Sequence, residues 1–358
     1  MKVISLFSGC GGLDLGFTKA GFELVYANDN SPIVWETFEK NHKIPIERRS
    51  LFDIKSVEIP DADGIIGGPP CQSWSLAGEM RGAKDERGQL FYEYIRVLKD
   101  KKPKFFLAEN VPGIISSTHL PEFNKILSRF SQIGYEVTYE LLDARNYGVP
   151  QERKRVIIVG YQKALGMRFK FPQPTHSKHG CKRLDGQETE KWLTLKDAIS
   201  DLSEATHAQE KNKANENLAI PNHEYMNGSF SSIYMSRNRR RTWDEPSFTI
   251  QAGGRHAPLH PSSAKMVKVE TDLWKFESKL PIFRRLSVRE AARIQTFPDC
   301  FIFYYKNVAD GYTMVGNAVP VKLAEDIAMK IKSDLEPTLE KRDGRSLSLT
   351  KISLDELA

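Results

Sequence analysis

The chain has 358 residues, 40% of them hydrophobic and 27% charged, with a formal net charge of +6 at pH 7. That length accommodates two domains, and no apolar run approaches the roughly 20 residues of a membrane helix. The first residues enter a strand-like run with no signal-peptide pattern, so a cytoplasmic protein with no membrane association is expected.

Four scattered cysteines with no C-x-x-C pair argue against a disulfide scaffold or a structural zinc site. His176, His179 and Cys181 lack a fourth ligand, read as a polar loop, and leave no metal expected. The positive charge permits a polyanionic partner without requiring one. Arg237, Arg239, Arg240 and Arg241 fall within five positions, with Arg255 soon after.

Val3-Ile4-Ser5-Leu6-Phe7 reads as a first strand, followed by the turn Ser8-Gly9-Cys10-Gly11-Gly12 and a helix over residues 13–20. Strand, glycine turn and helix form the first unit of a nucleotide-type α/β fold. The glycines let the backbone approach a ligand, and the helix start directs N–H groups toward its negative part. Residues 23–27 read as a second strand ending at Asp29, which could accept ribose hydroxyls or cap the helix opened by Ser31-Pro32. Asp53 beside Ile54 offers an acceptor and an apolar face that would suit an adenine ring.

A strand over residues 63–66 runs into Gly67-Gly68-Pro69-Pro70-Cys71-Gln72. Two glycines and two prolines exclude a helix and present Cys71 on a rigid turn at a strand's carboxyl end, where open α/β sheets collect their ligands. A lone cysteine is more often a small buried hydrophobe than a nucleophile. Residues 76–88, with spaced glycines, form a candidate lid. A helix over residues 90–98 and a strand over 104–108 follow, and that strand ends in Glu109-Asn110-Val111. A further helix (121–130) and two strands (136–142 and 156–159) flank Gln151-Glu152-Arg153-Lys154-Arg155, whose arginines two apart would point the same way in an extended segment.

After Gly160 the strand–helix alternation fades into a turn-rich stretch with a polar, mobile-looking segment over residues 204–217. The α/β character returns with Gly316-Asn317-Ala318-Val319-Pro320 and a helix over 321–332. The expected organisation is one α/β domain (1–160 plus 311–332), a smaller inserted domain (161–309) and a polar tail (336–358).

Taken together and in order, the glycine turn, Gly68-Pro69-Pro70-Cys71-Gln72, Glu109-Asn110-Val111, Gln151-x-Arg153-x-Arg155, the stretch from Arg289 to Pro298 and Gly316-Asn317-Ala318-Val319-Pro320 resemble the motif set of the DNA (cytosine-5) methyltransferases. The likeness runs from Val3 to about Lys332. Pro221-Asn222-His223-Glu224-Tyr225, Met235-Ser236-Arg237-Asn238-Arg239, and Pro246-x-Phe248-Thr249 running into Arg255 and Leu259-His260-Pro261 are most similar to the HaeIII-type bacterial modification enzymes that recognise GGCC.

The resemblance implies a Rossmann-like S-adenosylmethionine-dependent domain with an inserted target-recognition domain. It further implies a flipped-out cytosine and a monomer acting on double-stranded DNA. A cognate restriction endonuclease would act on the same site without direct contact. Cys71 would add to cytosine C6, protonated Glu109 would serve N3, Arg153 would hold the base near its carbonyl oxygen, and Arg155 would support it. Phe7, Gly9, Gly11, Asp29, Asp53, Ile54, Pro70, Leu90 and Asn317 would line the cofactor pocket. Asn30 departs from relatives that place an aromatic there, and Cys10 has no catalytic role.

Arg237, Arg239 and Arg255 are candidate base readers, with Arg240 and Arg241 on phosphates; the alternative puts all five on phosphates. Rival readings are a tRNA cytosine methyltransferase, an inactive DNA-binding protein and a small-molecule methyltransferase. The charges of the 289–298 segment read as structural.

Overall fold

The computed structural model describes residues 1–70, 86–183, 186–277 and 284–342. Cys71, most of the candidate lid and the tail beyond 342 therefore lie outside the described residues. In chain order the first half contains β1 (Lys2–Leu6), α1 (Gly12–Lys19), β2 (Glu23–Asn28), α2 (Pro32–His42), β3 (Ile46–Glu47), β4 (Gly64–Gly67), α3 (Glu86–Lys101), β5 (Phe105–Asn110), α4 (Leu120–Gln132), β6 (Tyr135–Asp143) and β7 (Lys154–Gln162).

The strands form one seven-stranded sheet in the order β3-β2-β1-β4-β5-β7-β6. Pairing is parallel from β3 through β5, and β7 runs antiparallel to both β5 and β6. The carboxyl ends of β1, β4 and β5 and the amino end of β7 thus share one edge. That edge carries the glycine turn, the Pro69–Pro70 loop, Glu109 and the arginine pair.

Strand period decides the two layers. Successive residues point to opposite faces, so Val3, Ile66, Phe105, Leu107, Ile157 and Val159 pack with α1 and α8 (Val321–Arg342). Ile4, Ile65, Phe106, Ala108 and Ile158 pack with α3 and α4 through Tyr94, Leu98, Phe123 and Phe130. Two central strands are buried along their whole length, as a sheet covered on both faces requires.

The second half is built of short pieces: β8 (His176–Ser177), β9 (Cys181–Lys182), β10 (Glu188–Lys191), α5 (Leu195–Ile199), β11 (Thr206–His207), β12 (Glu224–Tyr225), β13 (Met266–Glu270), β14 (Leu273–Phe276), α6 (Val288–Ile294) and α7 (Val308–Asn317). The polar stretch at 204–217 is tied down, because β11 pairs with β12 and Lys213 bridges to Asn307.

The expected domain boundary between 309 and 311 falls inside α7. One apolar core joins Val34 and Phe38 of α2 to Leu195, Ile199, Leu286, Ala292, Phe301, Tyr312 and Val315. A smaller separate cluster gathers Tyr234, Leu259 and Met266. The helix expected over 321–332 continues to Arg342. Among the described residues no helix is long and apolar enough to cross a membrane.

Candidate active site and nucleic-acid face

The turn after β1 takes its shape from backbone conformations that favour glycine. Gly9 has φ +58° and Gly11 has φ +92°, and a Cβ on Gly11 would stand 2.0 Å from Nε2 of His42. Gly9 N donates to Asp29 Oδ2 at 2.9 Å, and Ser31 N donates to Asp29 Oδ1 at 2.9 Å. Asp29 therefore ties the glycine turn to the start of α2, and burial pushes its carboxyl up. Each of its oxygens keeps a second acceptor position.

On the other side, a Cβ on Gly12 would meet Val319 O at 2.5 Å and Ala318 Cβ at 3.1 Å, which places the exposed Asn317 next to the turn. Gly11 caps α1 without a side-chain hydrogen bond, so the first amides of α1 remain available to an anionic group.

Phe7, Gly9, Gly11, Asp29 and Asn317 are thus gathered around one turn. Asp53 and Ile54 lie on a short turn whose Leu51 and Ile54 carbonyls accept from Arg96 Nη2 of α3, each at 3.0 Å. Leu90 sits half-buried near the start of α3. Pro70 ends the described part of its loop, which Asn110 Nδ2 holds through Pro69 O at 3.3 Å.

Beneath the glycine turn, Cys10 is buried with Sγ 3.4 Å from Met314 O, and burial pushes its thiol well up. That is the environment of an inert thiol. Asp14, in the first turn of α1, is fully buried beside the Ser5 hydroxyl, and neither of its oxygens makes a well-formed hydrogen bond among the described residues. Burial pushes its carboxyl up to about 7, with Ser5 opposing the rise and Asp29 adding to it.

The folded value lies above the unfolded one of 3.8. Between the two the folded chain holds the extra proton, and stability from this group is lost as pH rises toward 7. Asp14→Asn is therefore expected to stabilise the protein by about 1–3 kcal/mol more at pH ~8 than at pH ~5. Urea midpoints at the two pH values check this, and equal shifts would refute it.

At the shared edge, Gly68 lies beside Glu109, with a virtual Cβ 3.4 Å from Oε2. Glu109 is 9% exposed, and its Oε1 is 2.7 Å from Nε of Arg155. The two arginines of the Gln151–Arg155 motif separate here. Arg153 is fully buried, donating from Nη1 to Ile250 O (3.0 Å) and from Nη2 to Gly316 O and Ala318 O (both 2.9 Å).

Gln151 joins the same lattice through Gln295 (2.8 Å) and Ile250 N (2.8 Å), and Gln295 donates to Val315 O at 2.8 Å. Arg153, expected to hold the base, instead makes three bonds to backbone carbonyls, and its buried Nε has no hydrogen-bond partner among the described residues. Arg155 is the arginine at the reactive edge, where burial disfavours its charge and Glu109 offsets this. The structural reading of the 289–298 segment matches the geometry. Arg289 is fully buried on the carbonyls of Pro221 (3.0 Å) and Phe301 (3.0 Å), and Glu290 pairs with Arg284 at 2.8 Å.

The arginine cluster is likewise divided. Arg237 and Arg255 are exposed. Arg239 is only 5% exposed; its Nε donates to Tyr234 O at 3.1 Å, and its guanidinium lies 4.9 Å from the Tyr234 ring. Arg240 is half-buried with Nε on Pro261 O at 3.0 Å. Arg241 pairs with Glu152 (2.8 Å) and Glu245 (3.0 Å) over the Phe248 ring. Arg239, expected to read bases, is thus clamped on a carbonyl, and Arg241, expected on phosphates, is paired with two carboxylates.

Sequence reasoning missed Arg285, whose guanidinium lies 4.4 Å from the Phe230 ring and 5.3 Å from that of Tyr234. It also missed His256, on the turn Gly254–His256. The only sequence signal for either was its nearness to another arginine.

The model of the C-5 cytosine-specific DNA methylases matches residues 1–333. The chain belongs to that family. This methylase is a DNA (cytosine-5-)-methyltransferase. It is 62% identical over 341 residues to the type II methyltransferase M.MthTI of Methanothermobacter thermautotrophicus, covering 95% of this chain and 99% of the relative. It is 51% identical to M.FnuDI of Fusobacterium nucleatum, over 94% of this chain and 95% of that one. In fold the methylase is similar to the Entamoeba histolytica methyltransferase EhMeth, with a TM-score of 0.64, 16% identity, and coverage of 94% and 99% of the two chains.

Proposed function

We propose that this methylase transfers a methyl group from S-adenosylmethionine to C5 of a flipped-out cytosine in duplex DNA, at GGCC, within a restriction–modification system. The observation that carries the reading is the Glu109–Arg155 pair at 2.7 Å, beside the Pro69–Pro70 loop that leads into Cys71. A carboxyl and a guanidinium at one sheet edge, with a cysteine next in the sequence after the loop, are the groups this reaction needs.

The Cys71 thiolate adds to C6, and the new C–S bond puts electron density on the ring. Glu109 gives a proton to N3, so that C5 can take the methyl group. The cofactor, when bound, supplies that methyl group as an electrophile and leaves as S-adenosylhomocysteine. A base then takes the C5 proton, the C–S bond breaks to expel the Cys71 thiolate, and N3 returns its proton to Glu109, which restores the ring. Arg155 orients Glu109 and is positioned for the carbonyl side of the base.

The cofactor fits the chain: the uncapped start of α1, the open side of Gly9 and the remaining acceptor positions of Asp29 match a carboxylate, a close backbone approach and ribose hydroxyls. A stacked duplex hides C5 and C6, so the base must leave the stack. Arg237 and Arg255, exposed on the 161–309 segment, supply the guanine contacts of the target-recognition part.

Tritiated S-adenosylmethionine with GGCC and scrambled duplexes tests the reading. Label on cytosine C5 in GGCC only, abolished by Cys71→Ser, is expected. Arg237→Ala or Arg255→Ala should lose about 1–3 kcal/mol of preference for GGCC over the scrambled site. Label at another sequence would remove the GGCC assignment, and label on tRNA alone would remove the DNA assignment.

A further inference from the structure

We propose that His256 takes up a proton when this face closes on a nucleic-acid backbone, making duplex DNA binding by this chain proton-linked at one imidazole. The proposal rests on the DNA reading above. His256 closes the turn Gly254–His256, held by its own N–H on Gly253 O at 3.0 Å. The next residue, Ala257, is buried, and its carbonyl accepts from the Tyr234 hydroxyl at 2.9 Å. Tyr234 in turn lies against the guanidinium groups of Arg239 and Arg285. The turn that carries His256 is therefore packed beside Tyr234 and the arginines on its ring.

Those charges are all of one sign. Arg255 comes from the same turn, Arg237 and Arg239 from the segment after Tyr234, and Arg285 from the segment before α6. Burial lowers the His256 imidazole first, and the charges of Arg239, Arg237, Arg255 and Arg285 lower it further. His260 follows a few residues later in a different setting, on Ser262 at 2.6 Å and 3.6 Å from Glu290. Burial pulls His260 down to about 4.

In the free protein burial and the four guanidinium groups thus disfavour the protonated form of His256. Phosphates brought to Arg237 and Arg255 offset that repulsion and add attraction for an imidazolium. The bound value then lies above the free one. Binding is linked to proton uptake, and affinity rises as pH falls through the window between the two. One proton limits the effect to about tenfold per pH unit.

The experiment measures duplex affinity by fluorescence anisotropy from about pH 8 to about pH 6 at fixed ionic strength, for the native chain and His256→Gln. Gln keeps hydrogen-bonding capacity without titrating. Calorimetry in two buffers of different ionisation enthalpy counts protons taken up. The native chain is expected to bind about three- to tenfold tighter at the acidic end, on GGCC and scrambled duplexes alike, with proton uptake lost in His256→Gln. Equal pH slopes and equal proton counts in the two proteins overturn the proposal. If neither protein binds either duplex while a thermal shift with S-adenosylmethionine persists, the DNA reading falls and the proton linkage with it.

Discussion

Glu109→Gln is expected to lower the single-turnover rate of methyl transfer by about 10²–10⁴, the usual contribution of a positioned proton donor. Gln preserves the shape of the side chain and an oxygen that can accept from Arg155, now 2.7 Å away. It removes the group that can carry a proton, together with the negative charge that faces Arg155. Binding of S-adenosylmethionine and of duplex DNA should change by less than about threefold, since the variant leaves charge elsewhere on the edge unaltered. Quenched time points with tritiated cofactor give the rate, and anisotropy gives the binding. A rate within tenfold of the native one would remove Glu109 from proton transfer. Arg155→Ala, which strips the carboxyl of its partner, should lower the rate too.

Arg153→Ala is expected to destabilise the fold by about 3–5 kcal/mol, because two or three buried carbonyls lose their donor at about 1–3 kcal/mol each and a cavity is left. Arg153 reaches Ile250, Gly316 and Ala318, so it fastens the amino end of β7 to the end of α7 and to the segment before the Gly254–His256 turn. The penalty should appear as a lower urea midpoint in the absence of any ligand. A role on the substrate alone would leave the midpoint unchanged and act on catalysis only, so the unfolding curve separates the two.

The α/β succession of the first half was legible because it is local. Alternating faces such as Ile65 and Ile66 mark a strand, and the spacing of Leu13 and Phe17 marks a helix. The strand ends that carry Gly9, Asp29, Gly68 and Glu109 followed from those elements, since every parallel strand of such a sheet delivers its carboxyl end to the same edge.

The second half was less legible. Its strands run two to five residues and its helices, α5 and α6, five and seven, too short for a hydrophobic period to show. The apolar residues of α5 and α6 bury against α2 and α7, and α2 is far from both in sequence.

The roles of the arginines divide along the same line. Motif spacing drew attention to Arg153 and Arg155 equally, and to five arginines between 237 and 255. Which arginine meets Glu109, which is clamped to carbonyls and which stays exposed depends on partners up to 165 positions away.

The sequence by itself determined the succession of strands and helices in the first half, the residue types at their ends and the family the chain belongs to. Only the tertiary structure decided that Arg155, not Arg153, pairs with Glu109 at the sheet edge, that Arg241 is paired with Glu152 and Glu245, and that the turn carrying His256 packs beside Tyr234 and its arginines. The physical reason is that a hydrophobic period is a property of neighbouring residues. The fate of a guanidinium is set by whichever carbonyls, carboxylates and rings the completed fold brings around it.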